Sequence, residues 1–162
     1  MAAPTGKWSL RDPAVFLATG FGSGLLPKFP GTWGSLVAMA MAWPIFEATG
    51  RTGLAVGAVA AFIIGVWASN KCVEKYGIED PGQVVIDEIA GQWLVLLVVV
   101  SPGWFEYGLG FVLFRAFDIF KPWPVSWADK TIKGGFGIMI DDVLAAGYAA
   151  VVLYAIILAM GA

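Results

Sequence analysis

The sequence predicts an all-α integral membrane protein, a helical bundle with about five membrane helices. Of its 162 residues, 59% are hydrophobic and only 14% are charged, and the mean hydropathy is +0.77. This composition is too apolar for a soluble domain of the same size. Several uncharged runs are also roughly long enough to cross the hydrocarbon core of a bilayer. We therefore expect a single membrane-embedded domain over residues 1–162.

Four spanning helices are predicted from the longest uncharged runs, at residues 29–46, 52–70, 89–105 and 143–162. A fifth helix is predicted at 105–120, where aromatic and aliphatic residues outweigh Glu106, Arg115 and Asp118. With five crossings, every lysine and arginine except Arg51 falls on the same side as the loops near 71–87 and 118–142. The positive-inside rule places that side in the cytoplasm.

Residue types that the chain lacks exclude several kinds of chemistry. The sequence contains no histidine, which removes the commonest general base and the Ser-His-Asp triad. Cys72 is the only cysteine, so neither an intrachain disulfide nor a thiolate metal cage can form. The net charge of −2 and the lack of a basic stripe give no reason to expect a nucleic-acid partner.

Acidic residues gather near the ends of the apolar runs, on the predicted cytoplasmic side. They are Asp87, Glu88, Asp118, Asp129, Asp141 and Asp142. Carboxylates are costly at a hydrocarbon boundary without a partner, so this grouping suggests a shared cation. Because the candidate ligands are all oxygens, Mg²⁺ fits better than zinc or copper.

Simpler roles compete with metal binding at the paired acids. One of Asp87 and Glu88 could merely complement the dipole of the helix that they open, although two adjacent acids exceed what the dipole requires. Gln92 lies four residues after Glu88 and could orient that carboxylate or its water. Asp141 or Asp142 could likewise be the N-cap of the last helix.

Two further segments each have a structural and a functional interpretation. In the glycine-rich segment 20–35, Thr32 or Ser35 could cap the first membrane helix, or the backbone amides and Lys28 could bind an anionic group. Arg115, Asp118 and Lys121 recur every three residues and share one helical face. They could form an internal salt bridge, or the guanidinium could grip phosphate oxygens at headgroup depth.

Four ordered motifs resemble the phosphatidylglycerophosphatase A family of bacterial inner-membrane lipid phosphatases. They are GSG with Pro27 and PGTWGS at 22–35, VIDE with GQ at 85–92, FRAFDI with KP and Pro124 at 114–124, and GGFGIM with DD and AG at 134–147. The resemblance implies Mg²⁺-dependent hydrolysis of phosphatidylglycerophosphate to phosphatidylglycerol and inorganic phosphate. It also implies an all-helical core of about six helices, with one central helix surrounded by the others. We therefore expect a short N-terminal helix in addition to the five membrane helices.

The residues and the resemblance together predict a multi-pass protein of the bacterial inner membrane. Its expected substrate is a phospholipid, and its active site is expected to face the cytoplasm. The expected Mg²⁺ ligands are Asp87, Glu88, Asp118, Asp141 and Asp142. The expected catalytic carboxylates are Asp87, Glu88, Asp118 and Asp142. The expected substrate-binding residues are Lys28, Thr32, Ser35, Arg115, Lys121 and Asp129. The sequence makes no prediction of the oligomeric state.

Alternatives concern both the mechanism and the class of protein. Direct attack by water is favoured over an aspartyl-phosphate intermediate, because the chain has no D-x-D pattern of the haloacid-dehalogenase type. A transporter or channel with an acidic cation site is the competing function. An ion path needs polar groups deep in the membrane, yet the four clearest predicted spans carry no charge.

Overall fold

The computed structural model describes residues 7–101 and 103–161. Within these ranges the chain forms six α-helices and one short 3-10 helix, and no strand. The α-helices are α1 (Pro13–Ala18), α2 (Pro30–Tyr76), α3 (Ile86–Leu96), α4 (Trp104–Phe120), α5 (Val125–Thr131) and α6 (Gly134–Ala159), and the 3-10 helix is Ser23–Leu25. Pro102 of one predicted outer turn and Ala162 of the last predicted span lie outside the described residues.

Helix α1 is the predicted short N-terminal helix. Asp12 caps it, because its Oδ1 accepts hydrogen bonds from the amides of Ala14 (2.9 Å) and Val15 (3.5 Å). The other carboxylate oxygen of Asp12 lies 2.6 Å from Nζ of Lys75, near the end of α2. This ion pair ties the N-terminal region to the bundle.

The segment α2 consists of two antiparallel helical halves, and the chain reverses direction between them at Gly50. Gly50 has φ +66° and ψ −160°, a conformation that residues with a Cβ rarely adopt. Nε1 of Trp93 donates to the carbonyl of Ala38 (2.8 Å), and a Cβ on Gly57 would lie 3.0 Å from the same indole ring. A straight helix would separate Ala38 from Gly57 by roughly 28 Å. The predicted turn between the first two helices is therefore present.

Helix α3 lies at the centre of the bundle. Nine of its eleven residues are buried, and they face α2, α4 and α6. Close approach to α4 depends on Gly91, where a Cβ would lie 2.6 Å from the ring of Phe114. The structure thus contains the central helix that the resemblance implies, but this helix ends at Leu96, well short of the predicted end at residue 105. Only short turns continue to Val99.

Helices α4 and α6 complete the bundle and run in opposite directions. The predicted helix at 105–120 is present as α4. Helix α6 begins at Gly134 rather than at residue 143, so Asp141 and Asp142 lie inside it and the prediction that either is its N-cap is wrong. The N-cap prediction for Thr32 and Ser35 is also wrong, because α2 begins at Pro30. Hydropathy marks only uncharged runs, whereas a helix continues through charged residues that find partners in the fold.

The described part of the chain contains two helices long and apolar enough to cross a membrane, Pro30–Tyr76 and Gly134–Ala159. Large apolar side chains also remain more than half exposed around the bundle: Val56, Val59, Ile63, Val112, Val151 and Leu158. Such a surface is far more apolar than water favours, and it suits contact with lipid.

Candidate active site

Three carboxylates meet where α3 and α6 cross. Asp87 and Glu88 lie in the first turn of α3, and Asp142 lies in α6. One oxygen from each of the three lies within 4.8 Å of the others. We call Asp87, Glu88 and Asp142 the carboxylate triplet. Asp142 is only 3% exposed and Glu88 9% exposed, so solvent does little to screen the repulsion among these acids.

The triplet has the chemistry of a site for a hard divalent cation. Among the described residues, Oδ1 of Asp87, Oε2 of Glu88 and Oδ2 of Asp142 are buried and have no hydrogen-bond partner. Buried carboxylates are normally paired or bound to metal, because their desolvation is otherwise uncompensated. Oxygen ligands alone, with some solvent access, match the preference of Mg²⁺. The residues present therefore fit the predicted ion.

Arg115 lies beside the triplet and links it to Asp118. Its Nη1 donates a hydrogen bond to Oδ2 of Asp118 (2.5 Å) and lies 3.6 Å from Oε1 of Glu88. The three side chains are only 12–15% exposed. The predicted salt bridge between Arg115 and Asp118 is therefore present. Because the same guanidinium also contacts Glu88, it holds Asp118 next to the carboxylate triplet.

Lys121 forms a second charged group on the same side. It follows the last residue of α4 as the C-cap, with φ +43°. Its ammonium donates to Asp129 and to Oδ2 of Asp141 (2.7 Å for Asp141). Burial disfavours the charged amine, but the hydrogen bonds to Asp129 and Asp141 outweigh it and raise the pKa of Lys121 above its usual range. Lys121 therefore stays protonated and neutralises part of the acidic group.

A cavity of about 190 Å³ joins these groups. Seven predicted site residues line it: Asp87, Glu88, Asp118, Lys121, Asp129, Asp141 and Asp142. Its walls come from α3, α4, α5 and α6, so segments that are far apart in the sequence converge there. Among the described residues, the lining does not include Lys28, Thr32, Ser35 or Arg115.

The start of α2 lies against the Glu88–Arg115 pair. A Cβ on Gly31 would overlap Oε1 of Glu88 and lie 2.9 Å from Nη2 of Arg115. Ser35 follows one turn later and is fully buried, Thr32 is partly buried and Lys28 is exposed. The PGTWGS motif thus packs on the site through Gly31, a contact that no sequence pattern predicts.

Replacing Gly31 with Ala should reduce activity more than stability. The added methyl group would displace the ends of two side chains, Glu88 and Arg115, rather than backbone atoms. A misplacement of about 1 Å can cost roughly 100-fold in rate, so we expect a fall of about tenfold to 100-fold in phosphate release. Gly147→Ala is the matched control, because a Cβ there meets nothing within 4 Å. Equal activity of the two variants would show that the Glu88–Arg115 position does not matter.

Three charged residues at the rim of the cavity were not among the predicted site residues. Glu79, Asp80 and Lys133 also line it, and Nζ of Lys133 lies 3.2 Å from Oε2 of Glu79. Their positions in the sequence could have indicated this, because all three residues lie in the segments that directly precede α3 and α6, the helices that carry the carboxylate triplet.

Comparisons with known proteins agree with the motifs. A family model described as phosphatidylglycerophosphatase A matches residues 16–157. A protein named phosphatidylglycerophosphatase A from Haemophilus influenzae is 41% identical over 153 residues, covering 94% of each chain. One of the same name from Escherichia coli is 37% identical over 155 residues, covering 91% of this chain and 86% of the relative. No solved structure matches the chain. The chain belongs to the phosphatidylglycerophosphatase A family.

Proposed function

We propose that this protein is a phosphatidylglycerophosphatase, which hydrolyses phosphatidylglycerophosphate to phosphatidylglycerol and inorganic phosphate. Relatives that carry this name cover most of the chain. The single observation that carries the proposal is the convergence of six predicted carboxylates and Lys121 on one cavity, with Arg115 against them. A phosphomonoester needs positive charge around its oxygens and a base for the attacking water, and this group of residues can provide both.

We propose Mg²⁺ as the cofactor, held by the carboxylate triplet with Asp118 and Asp141 as direct or water-bridged ligands. The unpaired buried oxygens of the triplet support this assignment. When bound, the ion supplies positive charge that offsets the phosphoryl oxygens and favours deprotonation of water. Arg115 cannot supply that charge to the triplet by itself, because Asp118 already accepts its shortest hydrogen bond.

The chain's own residues perform the remaining tasks in this proposal. Arg115 and Lys121 hold the phosphate oxygens, and Asp129 positions Lys121. Lys28, just before α2, and Thr32 and Ser35, in its first turns, bind the substrate from outside the lining of the cavity. A carboxylate among Asp87, Glu88, Asp118 and Asp142 accepts the proton of the attacking water. Water forms the new bond to phosphorus, the bond from phosphorus to the glycerol oxygen breaks, and that oxygen takes up a proton. Trapping labelled phosphate on the protein would overturn direct attack by water.

We further propose that residues 1–162 form one domain that crosses the bacterial inner membrane five times. The two halves of α2, α4 and α6 would be four of the crossings, and the fifth would be α3 together with the apolar segment that follows it up to α4. The large apolar side chains that remain exposed around the bundle support this placement. The cavity would face the cytoplasm, because every basic residue except Arg51 belongs to the end of the bundle that holds it or to the segments leading there.

Phosphate release from a defined lipid tests the function and the cofactor together. Purified protein in mixed micelles with phosphatidylglycerophosphate should release inorganic phosphate in the presence of Mg²⁺. EDTA should abolish the release, and excess Mg²⁺ should restore it. Release that EDTA does not affect would contradict the proposed cofactor. No release from phosphatidylglycerophosphate or from other lipid phosphomonoesters would overturn the proposed enzyme function.

A further inference from the structure

The two lysines that line the cavity differ in how firmly they are held. Lys121 is 29% exposed and pairs with two carboxylates, Asp129 and Asp141. Lys133 is 59% exposed, and its salt bridge is to Glu79, which is 76% exposed. Exposed pairs of this kind contribute at most about 1 kcal/mol, because water and salt screen them. An arriving anion can therefore displace Glu79 from Lys133 at little cost.

The positions of these residues separate the cavity into two parts. The carboxylate triplet is nearly buried, whereas Lys133 and Glu79 stand at its solvent-exposed rim, where the chain enters α6 and where it leaves α2. A substrate that places one phosphate deep in the cavity would bring the group attached to that phosphate past the rim. The rim offers that group an exchangeable cation.

Phosphatidylglycerophosphate carries a second anionic group beside the terminal phosphate. Its terminal phosphomonoester is joined through glycerol to a phosphodiester, which connects to the lipid. We propose that Lys133 is a specificity-determining residue that binds this phosphodiester, with Glu79 holding the ammonium in place until substrate arrives. This inference rests on the proposed function. It adds a recognition site for the part of the substrate that does not react.

Steady-state kinetics in mixed micelles separate this role from a purely structural one. Lys133→Ala should raise KM for phosphatidylglycerophosphate about tenfold, the usual value of one hydrogen bond to a charged group, while kcat changes less than about twofold. Inhibition by inorganic phosphate should be unchanged, because that ion occupies only the deep part of the cavity. Lys133→Arg should restore KM to near the wild-type value. Lys130→Ala, an exposed lysine on α5, is the matched control and should behave as wild type.

Several results would overturn the proposal. They are an unchanged KM in Lys133→Ala, a parallel loss of inhibition by inorganic phosphate, or an equal rise in KM in Lys130→Ala. Glu79→Gln should leave KM equal to or lower than that of wild type, because it frees Lys133, and a higher KM would also contradict the proposal. If the wild-type protein releases no phosphate from the lipid, the proposed function itself fails, and that outcome is distinct from all of these.

Discussion

Replacing Asp142 with Asn should lower phosphate release from phosphatidylglycerophosphate by at least about 100-fold, since even partners outside the ligand set of a metal are often worth 10- to 100-fold. Asp142 is the most buried member of the carboxylate triplet, at 3% exposed, and its Oδ2 has no partner among the described residues. The amide keeps the shape of the side chain but removes the charge that would attract a cation. The Mg²⁺ concentration for half-maximal activity should also rise.

The same substitution should stabilise the metal-free protein. Asp142 lies within 4.8 Å of two other carboxylates, so neutralising it removes like-charge repulsion in a poorly solvated place. In EDTA, the variant should therefore unfold at a higher temperature than wild type. Glu74→Gln removes one exposed acid that pairs with Lys71 on the surface, and it should change neither activity nor stability appreciably. Lower thermal stability of Asp142→Asn in EDTA would show that the carboxylate has a structural role.

Replacing Arg115 with Met should destabilise the protein by about 3–5 kcal/mol, the usual cost of removing one partner from a buried ion pair. Arg115 is 15% exposed and lies between Glu88 and Asp118. Without it, Glu88 and Asp118 lose the guanidinium that lies between them, and the charge of Asp118 adds to the repulsion within the triplet. Activity should be lost as well, because no guanidinium remains to hold phosphate oxygens. Thermal unfolding in detergent measures the first effect, and phosphate release measures the second.

A double substitution distinguishes charge from packing at Arg115. If repulsion causes the loss of stability, Arg115→Met combined with Asp118→Asn should be more stable than Arg115→Met alone. Arg115→Lys keeps the positive charge but not the planar guanidinium. This variant should therefore fold, but it should release phosphate more slowly than wild type. A melting temperature of Arg115→Met equal to that of wild type would contradict the assigned role of the ion pair.

The grouping of acids could be predicted from the sequence. In an up-and-down bundle, the end of one helix and the start of the next lie on the same side. Each acidic residue of the site precedes or follows an apolar run on the same side, so a bundle with short outer turns brings these residues together. The reversal at Gly50 and the helix at Trp104–Phe120 followed from the same pattern. Oxygen chemistry followed from composition, since a chain with no histidine and one cysteine has few other metal ligands.

The specific partners could not be predicted in this way. The contact of Gly31 with Glu88 and Arg115 depends on how α2 packs against α3, which no local pattern encodes. Lys121 could have paired with Asp118, three residues earlier, yet it pairs with Asp129 and Asp141, because Arg115 occupies Asp118. The early start of α6 was hidden by two acids inside an otherwise apolar helix.

The central claim is that the carboxylate triplet holds a divalent cation at the site of phosphate release. Anomalous scattering from crystals of the protein soaked with Mn²⁺ tests it most directly. Mn²⁺ binds the same oxygen ligands as Mg²⁺ and, unlike Mg²⁺, gives a measurable anomalous X-ray signal. The account predicts an anomalous peak among the carboxylate oxygens of Asp87, Glu88 and Asp142, and its loss in Asp142→Asn. A peak elsewhere in the molecule, or none in crystals of protein that is active with Mn²⁺, would contradict the claim.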